Sequence, residues 1–289
     1  MDLLNLNGLL LAIVVFVPLE RLFGMHHEQK LFRPRWQDDL VYFFLNGLLI
    51  KLALSATVGA IVVASMWLVP ADFQNWVGGL PFWVQLPALI VLADIGFYSV
   101  HRLFHKIPYL WKFHAVHHSI EDLDWLAAHR VHPVDQILTK GASLLPVFAL
   151  GFSAAPIAAY FFLYHWQSLF IHSNIKIGFG PLRWLIASPQ FHHWHHANHP
   201  EAFDKNFAGQ LSFLDMLFGT MHMPGNEVPT RYGTDDPVPT GYFRQLLYPF
   251  ARSRRKTGAA SGATMVAHRV EKSETTVFAA KPDQPQTII

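Results

Sequence analysis

Long apolar runs constrain the fold of this chain more than any other feature of its sequence. Residues 3–19, 40–69, 80–100 and 134–171 are mostly apolar, and the last run is interrupted at 151–156. A helix of about 20 apolar residues crosses the hydrocarbon core of a bilayer. The pattern predicts an all-α membrane protein with about four to five transmembrane or re-entrant helices. A cleaved signal peptide is the alternative for residues 3–19, although they lack a basic start and a small-residue cleavage site.

Composition narrows the class of protein and the kinds of ligand. Charged residues make up 15% of the chain, against about 25% in an average soluble domain. The net charge is only +2 and the basic residues form no stripe, which argues against nucleic acid as a partner. The chain has no cysteine, so a bound metal must be held by His, Asp or Glu side chains.

The distribution of Lys and Arg predicts a topology. Basic residues occur in 20–39, in 101–133 and near the C-terminus, but not in 70–80. Because basic loops favour the cytoplasmic side, we expect an integral, multi-pass membrane protein whose helical, histidine-rich cap faces the cytoplasm. The predicted segments are N-terminal transmembrane helices over 1–80, a catalytic domain over 81–248 and a disordered tail over 249–289.

Histidines recur at spacings that suit metal binding. Fourteen of the eighteen lie between His101 and His199. The pattern H-x-x-x-H occurs once and H-x-x-H-H twice, and these offsets place side chains on one helix face. Neutral imidazoles in such an array bind transition metals. Eight imidazoles exceed the four ligands of a structural zinc site, so the spacing predicts two metal ions. The eight are His101, His105, His114, His117, His118, His192, His195 and His196.

Several residues outside these three boxes are further candidates. His172, at the end of the last apolar run, is a ninth possible ligand, and His165 is a weaker one. Asp94 lies on the same helical stripe as His101, and we expect it to accept a hydrogen bond from an imidazole. A buried ion pair with Lys51 or an Arg is the alternative for this carboxylate.

The segment around Arg130 holds two more histidines. His132 or His129 is expected to touch the substrate or to support a ligand, with a purely structural role as the alternative. Asp204 and Asp215, like Asp94, would offset the positive charge of an all-imidazole metal site.

The order of these elements resembles the fatty acid hydroxylase / sterol desaturase superfamily of integral-membrane di-iron enzymes. The similar stretches are 94–105, 111–119, 130–133, 167–174, 204–207 and 215–220. The resemblance implies an O2-dependent hydroxylation or desaturation of a membrane-borne sterol, fatty acyl or isoprenoid lipid by two Fe ions. It also implies ligand roles for all eight box histidines and for His172.

Electrons for such a reaction must come from outside this chain. No G-x-G-x-x-G motif follows a predicted strand and no cysteine is present for an iron–sulfur cluster, so we expect a ferredoxin or a small cytochrome with its reductase. Imidazole sites also accept zinc, which could replace iron in a purified sample. The alternatives are a membrane zinc-dependent hydrolase or isomerase and, less favoured, a metal transporter or a non-catalytic membrane protein.

Overall fold

The computed structural model describes residues 6–251, which are mainly helical. No β-strand occurs in this range; isolated bridges pair Gly24 with Ile175 and Ala197 with Tyr232. The predicted all-α class is confirmed. The α-helices are α1 (Leu6–Leu22), α2 (Trp36–Leu68), α3 (Ala71–Gly78), α4 (Phe82–Lys106), α5 (Pro108–His118), α6 (Pro133–Ala149), α7 (Ala154–His172), α8 (Pro189–His195), α9 (Phe213–Leu217) and α10 (Tyr242–Leu247). A π-helical turn at Tyr42–Asn46 lies within α2, and 3-10 turns occupy Trp125–His129, Gly180–Trp184, Pro200–Ala202 and Tyr248–Phe250.

Two of the described helices are long and apolar enough to cross a membrane. These are α2, with 33 residues and mean hydropathy 2.1, and α4, with 25 residues and mean hydropathy 1.5. Most of α2 is exposed, including Leu52 and Met66, as expected of a helix that faces lipid. The predicted count of four to five spans is not confirmed. The other long helices, α1, α6 and α7, have 17, 17 and 19 residues, at the short end of the spanning range.

The predicted bend in the last apolar run is present between α6 and α7. Gly151 has φ +87°, and a Cβ at this position would lie 2.6 Å from the Gln74 backbone, so only glycine fits. The Gln85 side chain donates to the Leu80 carbonyl at 2.6 Å and accepts from the Ser153 amide at 2.8 Å. The bend and the connection between α2 and α4 therefore meet at the same end of the helices.

α4 forms its core with α6 and α7. Leu89 of α4, Val147 of α6 and Tyr160 of α7 are buried together. Gly96 lies directly against the backbone of Ala142, with no room for a Cβ. Since lipid chains are as apolar as these side chains, close packing holds the helices together more than transfer from water does.

The N-terminal helices pack on the histidine-rich segment. On α1, Phe16 stacks on Trp125 and Trp166, with ring centroids 6.2 and 6.0 Å apart. α2 packs along α6. Residues 1–80 therefore contribute directly to the surroundings of the predicted catalytic segment.

A buried ion-pair network joins the start of α2 to the loop before α6. Arg33 donates to Asp124 at 2.7 Å and also pairs with Asp39, whose carboxylate binds Arg130 as well. Arg33, Asp39 and Arg130 are almost fully buried. Breaking a buried pair leaves an uncompensated charge, so the network fixes the loop that carries Arg130.

The end of the described chain packs onto this fold. Phe250 lies 5.5 Å from Phe113 by ring centroids, and Pro249 is buried. Both residues fall within the predicted disordered tail, so the packed structure extends slightly beyond the expected boundary. Residues 252–289, the rest of that tail, lie outside the described residues.

Candidate metal centre

The nine predicted ligand histidines come from four helices that converge at one end of the bundle. Pro108, in the first turn of α5, is well placed to start a new helix just after α4 ends at Lys106. Ser188 caps α8, since its hydroxyl accepts from the Phe191 amide at 3.2 Å. His172 is the last residue of α7. These local signals place the histidines at helix ends.

The nine imidazoles form two clusters that could each hold a metal ion. In each cluster the ligand nitrogens lie within 4.8 Å of one another. The five-histidine cluster consists of His101, His105, His114, His118 and His195, and the four-histidine cluster of His117, His172, His192 and His196.

Both H-x-x-H-H boxes are divided between the two clusters. The i, i+4 pair of each box stays together and the i+3 residue goes to the other cluster. Thus His117 lies in a different cluster from His114 and His118. His195 lies in a different cluster from His192 and His196. Because of the i, i+3, i+4 spacing of the two boxes, α5 and α8 each contribute histidines to both sites.

The ring nitrogens of each cluster face one another through their Nε2 atoms. In the five-histidine cluster, Nε2–Nε2 distances are 2.9 Å for His101–His114, 3.1 Å for His114–His118 and 3.0 Å for His118–His195. In the four-histidine cluster they are 3.1 Å for His117–His172, 2.9 Å for His172–His192 and 3.1 Å for His192–His196.

Backbone carbonyls fix the other nitrogen of four rings. A carbonyl only accepts, so each of these Nδ1 atoms carries the proton and each Nε2 presents a lone pair. The pairs are His101 with Phe207 O at 2.6 Å, His117 with Arg130 O at 3.0 Å, His172 with Ser168 O at 2.7 Å and His195 with Lys205 O at 2.8 Å.

This donor set fits transition-metal ions. Lone pairs about 3 Å apart repel unless a cation lies between them. Two nitrogens bound about 2.1 Å from one ion are about 3 Å apart at a right angle, close to the observed spacings. His105 Nε2 is buried without a hydrogen-bond partner, which also suits a ligand.

Burial keeps the cluster imidazoles neutral. It lowers the pKa of six rings well below the ordinary value of 6.5, and the charges of neighbouring imidazoles lower most of these pKa values further. These rings are His114, His117, His118, His192, His195 and His196. Since only a neutral imidazole can bind a metal, these surroundings favour ligation.

Asp94 does not contact an imidazole within the described residues, contrary to the prediction. Its carboxylate accepts from the backbone amides of Gly209, Gln210 and Leu211 at 2.9, 3.1 and 2.7 Å. Three amide donors satisfy the buried charge. Asp94 therefore acts on the metal centre only through the loop after α8.

Asp215 holds the start of the same loop. It accepts from the amides of Phe207 and Ala208 at 2.7 and 2.8 Å and from Thr220 Oγ1 at 2.6 Å. Phe207 O accepts from His101 Nδ1. Asp94 and Asp215 therefore position the His101 ring indirectly, through the loop that they hold. Asp204 lies nearer, with Oδ1 3.6 Å from His105 Nδ1.

Asp135 is the carboxylate that sequence reasoning missed. Its Oδ2 lies 2.7 Å from His114 Nδ1, and the residue is buried. This is the carboxylate–histidine arrangement that orients a metal ligand. An acidic residue in the first turn of a helix is common because it complements the helix dipole, so its position alone gave no signal.

The structure gives His132 a structural position away from both clusters. Its Nδ1 accepts from the Val134 amide at 3.1 Å and caps α6, while Nε2 lies 3.1 Å from Leu246 O. These contacts occupy both ring nitrogens and fit the structural alternative for His132 better than contact with the substrate or support of a ligand. His165 also lies outside both clusters.

A cavity of about 120 Å³ extends from the clusters between α4, α6 and α7. His101, His114 and His172 line one part of it, and Lys140 and Tyr164 line another. The clusters are therefore accessible from inside the bundle.

Comparison with known proteins identifies the family. The Fatty acid hydroxylase family profile matches residues 86–220, which cover both H-x-x-H-H boxes and His172. The resemblance predicted from the sequence is confirmed: residues 86–220 match the fatty acid hydroxylase family. No solved structure matches the chain significantly.

The curated relatives are lipid hydroxylases and monooxygenases. An ornithine lipid hydroxylase of Rhizobium tropici is 32% identical over 184 residues, covering 63% of this chain and 55% of the relative. Human alkylglycerol monooxygenase is 32% identical over 148 residues, covering 51% of this chain and 32% of the relative. Methylsterol monooxygenase 1 of Rattus norvegicus is 23% identical over 212 residues, covering 71% of this chain and 69% of the relative. The chain spans about half of the length of the first of these relatives and about a third of the length of the second.

Proposed function

We propose that this protein is an O2-dependent lipid hydroxylase that holds two iron ions in its two histidine clusters. The observation that carries the proposal is the pair of adjacent clusters whose Nε2 atoms face inward at the end of apolar helices. Hydroxylation is favoured over desaturation because the relatives are named as hydroxylases and monooxygenases. Each of the nine histidines is proposed as a ligand.

The side chains around the clusters supply binding and orientation. Bound iron would supply the activation of O2 for attack on a C–H bond. Phe207 O, Arg130 O and the Asp135 carboxylate hold the proton on Nδ1 of their imidazoles, so that Nε2 stays free to bind metal. The inner cavity would receive the part of the lipid that is oxidised.

We propose that this centre lies at one membrane face. α2 begins, and α4 ends, at the end of the bundle that holds the clusters, and the connection between them lies at the opposite end. The basic residues near Trp36 and Lys106 favour the cytoplasmic side for the centre, with α1, α6 and α7 as further membrane-embedded helices. An external ferredoxin or small cytochrome with its reductase would deliver electrons there.

Isotope labelling tests the proposal. Full-length protein purified in detergent and loaded with Fe(II) is supplied with reductant, 18O2 and lipid extract from a host that lacks the gene. We expect one 18O atom in a hydroxylated lipid, detected by mass spectrometry, and no product without O2 or after removal of iron. Equal product with zinc alone and no O2 would instead support the zinc-dependent hydrolase or isomerase.

A further inference from the structure

The cavity beside the clusters carries polar side chains that an alkyl chain does not need. Lys140 lies five residues after Asp135 on α6, about 7.5 Å along the helix axis. His165 lies seven residues before His172 on α7, about 10.5 Å along its axis. Tyr164 and His129 line the same cavity. The polar lining therefore continues about one to two helical turns beyond the metal ligands.

None of these groups is satisfied by the protein. Within residues 6–251, the Lys140 ammonium, the His165 ring nitrogens and the Tyr164 hydroxyl form no hydrogen bond or ion pair. His129 contacts Phe43 through an edge-to-face ring interaction, at 4.9 Å between centroids, and its nitrogens are equally unpaired. All four residues are half-buried, so their polar groups are open to whatever occupies the cavity.

Lys140 is the decisive member of this group. A cation in the interior of a membrane protein is costly unless an anion balances it, and such residues are usually functional. Water could fill a cavity of about 120 Å³, but water does not neutralise an ammonium. The carboxylate that lines the cavity, Asp135, is already bound to His114.

We infer that this cavity binds an anionic oxygen group of the lipid substrate, a carboxylate or a phosphate, with Lys140 as its counter-ion. Tyr164, His165 and His129 offer hydrogen bonds to the same oxygens. The inference rests on the proposed function, because the bound lipid is a substrate only if this protein oxidises lipids. It adds that the carbon presented to the clusters lies within several bonds of the anionic group, and not at the far end of a long chain.

Binding of matched probes tests the inference without turnover. Native mass spectrometry of the full-length, detergent-purified protein compares palmitate, hexadecyl phosphate and hexadecanol, which share one chain length. Lys140→Met should weaken the binding of an anionic probe by about tenfold to hundredfold, as expected for the loss of one charge-assisted hydrogen bond. The affinity for hexadecanol should change by less than about twofold. Lys140→Arg should retain the preference, and Lys176→Met is the control for an exposed lysine. Lys140→Gln replaces Lys140→Met if that variant fails to fold.

The outcomes distinguish the proposed anion-binding site from the proposed hydroxylase activity. A loss for palmitate alone or for hexadecyl phosphate alone supports the site and names its head group. Equal effects on all three probes, or none, would overturn it, as would a loss of bound iron with unchanged affinity for the anionic probes. Charge-selective binding without any O2-dependent product would reject the hydroxylase proposal and leave the binding site standing.

Discussion

At the scale of single residues, the proton on each imidazole decides what the clusters can bind. Nδ1 is committed to a carbonyl in four of the nine rings and to Asp135 in His114. Each of these contacts leaves Nε2 as a lone-pair donor directed at its neighbours. The residues that hold Nδ1 therefore also contribute to metal affinity.

Asp135→Asn tests this role of the carboxylate. The amide oxygen can still accept from His114, but without the negative charge that raises the basicity of the ring. We expect about a tenfold to hundredfold loss of metal affinity or activity, measured by iron titration and product formation. Glu121→Gln, at an exposed position, is the matched control. Wild-type iron affinity and turnover in Asp135→Asn would contradict the assignment.

His117→Ala and His195→Ala test the division into two clusters. Each variant removes a ligand from a different cluster, so each should lose about half of the bound iron and essentially all activity, because both ions are needed. Iron per chain is measured by elemental analysis of membrane-extracted protein. The exposed His27 gives the control variant His27→Ala. Loss of both ions in each variant would show that the clusters do not bind independently.

At the scale of helices, the contact between α4 and α6 sets the distance between the clusters and the cavity. Gly96 touches the backbone of Ala142, and the same two helices carry His101 and Asp135. A shift at this crossing would change the spacing of ligands and cavity together.

Gly96→Ala should separate these two helices. The added Cβ has no room against Ala142, and overpacking of this kind costs about 1–3 kcal/mol, so the melting temperature in detergent should fall. Gly59→Ala is the control, because a Cβ there meets no atom within 4 Å. Equal melting temperatures for the two variants would show that the crossing adapts at no cost.

At the scale of the whole molecule, the clusters tie α4, α5, α7 and α8 to one another. A metal that binds only the folded state stabilises it, by about 4 kcal/mol when present at 1,000 times its dissociation constant. Chelation should therefore lower the melting temperature, and Fe(II) should restore it. Identical melting curves with and without chelator would argue that the imidazoles hold no ion.

The metal-free protein should also become less stable in acid. Burial holds the pKa of the six cluster imidazoles outside the membrane helices, such as His114 and His192, below 6.5 in the folded state, so the unfolded chain binds protons that the folded chain does not. Stability is then full above pH ~6.5 and declines as the pH falls toward the folded pKa values. The slope is about 1.4 kcal/mol per pH unit for each such histidine. Denaturant titrations at several pH values measure it, and a flat profile would contradict this account.

The sequence by itself determined the helical class, the position of the bend at Gly151 and the set of histidines that come together. These features depend on contacts within one helix or turn, where the spacing of residues fixes which side chains share a face. Eight of the nine histidines could be chosen because their i, i+3 and i+4 offsets are local, whereas His172 was chosen from its place at the end of the last apolar run and from the family resemblance.

Only the tertiary structure decided how those histidines are divided and what supports them. The separation of His117 from its box neighbours, the bond from Asp135 to His114 and the attachment of Asp94 to a loop more than a hundred residues away depend on how helices pack. The number of membrane spans stays a prediction, since helix ends are set by caps and contacts as well as by hydropathy. Such contacts join segments whose spacing in the chain carries no information about their distance in space.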